Sequence, residues 1–136
     1  MNNQNFVDDA LSLIGVLPEG QNASAEQGVL ALRFANELVD EWADDGLYVN
    51  WTPNTALADD NTLSGSELTA VKYHLAIRLC PVFGREPSQA LMVIAGQAYG
   101  RLLRQQAARN LEPVSESLPL AEGGGGMFDI TTGTVS

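Results

Sequence analysis

Cysteine and histidine are almost missing from this 136-residue chain, which has one of each, Cys80 and His74. A lone cysteine excludes an intrachain disulfide and any cysteine-cluster metal site. A lone histidine excludes a His-rich metal site and leaves little for histidine-based catalysis. Basic residues are scarce as well: seven Lys and Arg stand against 17 Asp and Glu, a formal net charge of −10. A chain so acidic is not held to nucleic acid by general attraction to phosphates. Apolar runs last only a few residues, so no membrane span is expected. The opening Met1–Asn5 lacks the basic and apolar stretches of a secretory signal. No G-x-S-x-G, Walker loop, dinucleotide fingerprint or zinc-ligand spacing occurs. The glycine run Gly123–Gly126 is not followed by the Lys-Ser/Thr of a phosphate loop. These absences leave no expected catalytic residue, metal or cofactor.

What is present describes a folded chain. Apolar residues make up 45% of it, and the length suits one small domain with a C-terminal extension. A soluble, intracellular type of protein is expected. The charge is unevenly placed: residues 1–65 sum to −10, residues 66–109 to +4 and residues 110–136 to −4. Such a split suits acidic-against-basic contacts, either between copies or partners or within one folded molecule.

Helical periodicity predicts four helices, an all-α small bundle with a long connection between the second and third. The first spans about Asn5–Ile14, with Phe6, Ala10, Leu13 and Ile14 at helical spacing and Asp8 and Asp9 in its first turn. Gly15 and Pro18 stop it. The second opens on a capping box, Ser24-Ala25-Glu26-Gln27, and ends at Gly46, with Leu32, Ala35, Leu38, Val39 and Trp42 as its apolar stripe. Leu47 is placed to fold back on the last turn.

Residues 48–63 carry no helical period and turn signals instead, a connection long enough to suggest a function. Tyr48 and Trp51 stand out in it, either closing the edge of the core or facing another chain. A second capping box, Ser64 with Glu67, opens the third helix, whose stripe is Leu68, Val71, Leu75 and Leu79. Pro81 and Gly84 close it. The fourth starts near Pro87–Ser88 and runs to about Arg109. Leu91, Ile94, Ala95, Ala98 and Leu102 form one apolar face, and Met92, Tyr99 and Leu103 an adjacent one. A helix so widely apolar is central or shared with a neighbour. Gly96 and Gly100 inside it suggest close approach of another backbone.

Residues 1–109 are thus read as a helical domain and residues 110–136 as an extended C-terminal segment. Glu112–Pro119 is a poor helix former, and Gly123–Gly126 reads as a hinge. Beyond it Phe128 and Ile130 share one side of any strand, with Met127 beside them. Order in this segment requires a holder: a partner subunit, by strand addition or grooves, or its own bundle. His74 reads as a helix-surface residue and Cys80 as a small buried hydrophobe. The adjacent acids Asp8/Asp9, Asp44/Asp45 and Asp59/Asp60 read as solvated faces; a glycosidase needs two carboxylates set apart around a bond.

The order of these signals resembles the head-to-tail adaptor family of tailed bacteriophages, also described as tail accessory or packaged-DNA stabilisation proteins. It is carried by the Val7–Val16 helix, by Leu38-Val39-Asp40-Glu41-Trp42-Ala43-Asp44-Asp45-Gly46-Leu47-Tyr48-Val49, and by Leu75–Gly84. Glu86-Pro87-Ser88 and an Ala-rich, Arg-containing helix follow. The likeness covers residues 5–109. It implies a structural virion protein and no enzyme, located in the virion neck and in the host cytoplasm during assembly. Copies would form a ring, a dodecamer, between the portal protein and tail proteins such as a nozzle, hub or tube. DNA would pass the lumen without specific binding, and packaged DNA would be retained. The C-terminal segment, through Met127, Phe128 and Ile130, would grip the portal. Arg101, Arg104, Tyr48 and Trp51 would lie between subunits. Two other readings stay open at this stage, a small helical DNA-binding or DNA-packaging regulator and a peptidoglycan-degrading enzyme.

Overall fold

Asn2 sets where the chain first becomes helical. Its backbone is extended and its side chain accepts hydrogen bonds from the backbone N–H groups of Gln4 and Asn5 at 2.8 and 3.3 Å. In this computed structural model α1 therefore spans Asn3–Leu13, followed by α2 (Ala25–Asp44), α3 (Gly65–Leu79) and α4 (Gln89–Ser117). The structure describes residues 1–18, 20–53 and 56–117, the stretch 110–117 for its backbone alone. No strand occurs among the described residues, and the all-α class holds.

The early start of α1 corrects the expected placement of two acids. Asp8 and Asp9 lie beyond the first turn, and each has a separate partner. Asp8 Oδ1 accepts from the backbone N–H of Ala23 at 2.7 Å and from Gln4 Nε2 at 2.9 Å. Asp9 pairs with Lys72 on α3 at 3.3 Å. The polar run Asn2–Asn5 has no apolar period to mark a helix, so only the cap reveals it.

Both α1 and α2 end on a left-handed glycine that lets the chain turn back. Gly15 (φ 75°) and Gly46 (φ 89°) are followed by Val16 and Leu47, whose N–H groups reach the carbonyls of Leu11 and Trp42 at 3.0 and 2.8 Å. Leu47 folds back as expected and is buried. At the start of α2, Ser24 and Gln27 form the reciprocal capping box. The corresponding box on α3 does not form, since Ser64 makes no side-chain cap bond. Glu67 instead accepts from the backbone N–H of Asn50 at 3.2 Å, so the carboxylate secures the preceding connection.

Chain contacts divide the protein into two units, Met1–Leu103 and Arg104–Ser136. In the first, α1, α2 and α3 pack on one another. Phe6, Val7 and Leu11 of α1, Ala31 and Leu32 of α2, and Val71, Leu75 and Leu79 of α3 are fully buried. Leu91, Ala95, Ala98 and Leu102, one face of α4, join the buried set. The described part of the second unit continues α4 to Ser117. Glu112–Ser117 is thus helical, against expectation. A helix already formed propagates cheaply, and Pro113 removes one hydrogen bond from it.

The connection from Tyr48 to Leu63 is irregular yet firmly tied. Asn61 donates to Asn3 Oδ1 at 3.1 Å, and Asn3 Nδ2 donates to the Ala56 carbonyl at 2.9 Å. Asn61 Oδ1 accepts from the Leu63 N–H at 3.1 Å. Leu57 fills the space a side chain at Gly28 would need: a Cβ there would lie 2.5 Å from its methyls. Thr62 Oγ1 closes the segment on the Asn50 carbonyl.

Candidate functional site

Three aromatic rings attach α4 within the first unit. Trp42 of α2 meets His74 of α3 and Tyr99 of α4 edge-on, with ring centroids 5.3 and 5.2 Å away, and His74 and Tyr99 are 5.6 Å apart. His74 Nε2 donates to the Ala95 carbonyl at 3.0 Å. The ring is packed between helices, a correction to its expected place on a helix surface. Burial lowers its pKa below 6.5; the bond to Ala95 opposes this and nearby Arg78 adds to it. This group is structural in kind: an imidazole that lies against two rings donates to a backbone carbonyl.

Beyond this seam α4 presents an apolar exterior. Met92, Val93, Ile94 and Leu103 are exposed by 53, 49, 39 and 45%. The expected pairing of Ile94 with the inner face is therefore corrected, because Leu91 and Ala98 on either side of it take the contact. A Cβ built at Gly96 would meet nothing within 4 Å, so the close approach expected there is not made by the described residues. Arg101 and Arg104 are exposed and form no ion pair among the described residues.

A complementary surface lies on α2. Glu37, Asp40 and Asp44, spaced to share one face, are exposed and unpaired among the described residues. The neighbouring Glu41 does pair, with Arg78, and that hydrogen bond and the guanidinium charge hold its carboxyl below the usual range. One helix end away, Ala25, Glu26, Val29, Leu30 and Arg33 line a shallow hollow, and Val29 is 49% exposed.

Tyr48 and Trp51 part company. Tyr48 is 65% exposed. Trp51 stacks obliquely on Phe6, centroids 5.8 Å apart, and its Nε1 donates to Asn36 Oδ1 at 2.8 Å, so it closes the core edge. Cys80 is buried, its Sγ directed to the Ala76 carbonyl at 3.4 Å, and burial pushes its thiol pKa up. Met127, Phe128 and Ile130 lie outside the described residues. Among the described residues no group of three or more His, Cys, Asp and Glu is placed to hold a metal, and no helix is long and apolar enough to cross a membrane.

The sequence profile of the P22 tail accessory factor family matches residues 15–134. The chain belongs to this family. Membership in the P22 tail accessory factors gives it a structural role associated with the phage tail, and hence with the virion. The match begins after α1 and continues past Asn110, so it takes in much of the C-terminal segment that the 5–109 resemblance left out. No curated protein matches the chain.

Proposed function

We propose that this tail accessory factor is a head-to-tail adaptor: copies form a ring, a dodecamer, between portal and tail, extending the DNA channel and retaining packaged DNA. The observation that carries the reading is the family match over residues 15–134. The charge pattern supports it, since exposed Arg101 and Arg104 on α4 and the acid ridge on α2 lack partners among the described residues. Exposed Tyr48 and the edge around Trp51 complete the surfaces assigned to contacts between subunits. An acidic subunit suits a lumen through which DNA slides without sticking. Met127, Phe128 and Ile130 are assigned to the portal contact, where many weak copies act together. The subunit resides in the virion neck after assembly in the host cytoplasm.

Removing residues 123–136 tests this directly. The truncated chain is expected to remain helical, mainly monomeric at low concentration, and unable to join the portal. Truncated protein found in particles at the wild-type level, by electron microscopy and gel, would remove the portal assignment.

A further inference from the structure

We propose that the outer face of α4 docks on α2 of a second copy of this chain, Ile94 seated in the hollow beside Val29 and Leu30 and Arg101 meeting Glu37. The inference rests on the reading of the chain as a self-assembling subunit, and it names the two faces that meet. Within one copy both faces are left uncovered: Val29, Val93 and Ile94 are 49, 49 and 39% exposed. Arg101 and Glu37 are exposed and without an ion pair among the described residues.

Register selects the partner. Leu30 to Glu37 and Ile94 to Arg101 are the same step along an α-helix, roughly 10.5 Å and close to two turns, so each pair shares one face. Laid parallel, the two helices bring the apolar side chains together at one end and guanidinium to carboxylate at the other. The opposite pairings fail. Two α2 ridges would set acid against acid, and two α4 faces would set Arg101 against Arg101 or against apolar side chains. Each contact therefore joins unlike faces, α4 of one copy on α2 of another, and repeated from copy to copy it builds a ring when the rotation closes. Loss of water from the apolar end supplies the attraction, and the charge pair fixes the register.

Chains with one introduced cysteine decide the matter. Leu30→Cys and Ile94→Cys full-length proteins, mixed and oxidised with copper–phenanthroline, are expected to give a mixed covalent dimer that neither yields alone. Cys80, 1% exposed, stays out of reach. Val29→Cys replaces Leu30→Cys if circular dichroism shows helix loss. In sedimentation from micromolar to millimolar concentration, Arg101→Glu and Glu37→Arg are each expected to weaken self-association about tenfold, and the two together to restore it. A wild-type chain that associates while the mixed dimer is absent and the double exchange restores nothing overturns the proposed faces and leaves the ring standing. A wild-type chain that stays monomeric throughout overturns the ring reading as well.

Discussion

Asn3 and Asn61 meet inside the protein: Nδ2 of Asn61 donates to Oδ1 of Asn3 at 3.1 Å, and the two side chains are 0 and 5% exposed. Buried amides of this kind are stable only when their polar atoms are matched. Here the matches run to the Ala56 carbonyl and the Leu63 N–H, so the pair joins α1 to the segment that leads into α3. Asn61→Ala is expected to lower stability by about 1–3 kcal/mol, because Asn3 Oδ1 and the Leu63 N–H each lose the bond from Asn61 in a buried place. Urea unfolding followed by circular dichroism checks this. A loss no larger than that of an exposed asparagine such as Asn22→Ala would refute it.

Gly28 and Leu57 form a second tie, of shape in place of charge. Gly→Ala in a helix interior ordinarily gains ~1 kcal/mol. At Gly28 the added methyl meets Leu57, so the gain is expected to vanish in the wild-type chain. In a Leu57→Ala background the same change should recover about 1 kcal/mol. A double-mutant cycle in thermal unfolding reads the coupling, and simple additivity would contradict it.

The two serine caps are expected to differ. Ser24 Oγ accepts from the Gln27 N–H at 3.1 Å, whereas Ser64 makes no side-chain cap bond. Ser24→Ala should cost about 1 kcal/mol and Ser64→Ala only a few tenths. Equal losses in chemical denaturation would contradict the assigned caps.

Acid should loosen the seam around His74. Its folded pKa lies below 6.5, chiefly because burial disfavours the charged ring. A depressed pKa contributes stability that is fully present above the unfolded value of about 6.5 and is lost as pH falls through the folded value. Unfolding free energy is expected to decline as pH falls below about 6.5, and His74→Gln should flatten that decline. The chain has no other histidine, so proton NMR of the ring reads the midpoint without ambiguity. A midpoint at or above 6.5 would remove the effect.

The sequence revealed the elements whose signals are local. Ser24, Gln27, Gly46 and Leu47 mark both ends of α2 because caps act within one turn, and the buried stripe of α3 follows from its spacing. It missed what depends on distant partners. Glu67 matches a capping box by spacing, but Asn50 takes its carboxylate. His74 sits among Lys72, Tyr73 and Leu75 like a surface residue, and only folding sets it between Trp42 and Tyr99. Of the proposed contact residues, Arg101 and Arg104 were legible through the uneven charge. The exposure of Ile94 was not, because one helical period does not tell which part of a wide apolar arc its own core will cover. The hollow beside Val29 carries no sequence pattern at all.

The connection between α2 and α3 has neither helix nor strand among its described residues, yet Asn61 fastens it to α1, Leu57 and Trp51 to α2, and Asn50 to α3. Such a stretch has a fixed length. Inserting even a single residue between two fasteners would throw the next one out of step, so this long loop should tolerate change in the identity of its exposed residues far better than change in their number.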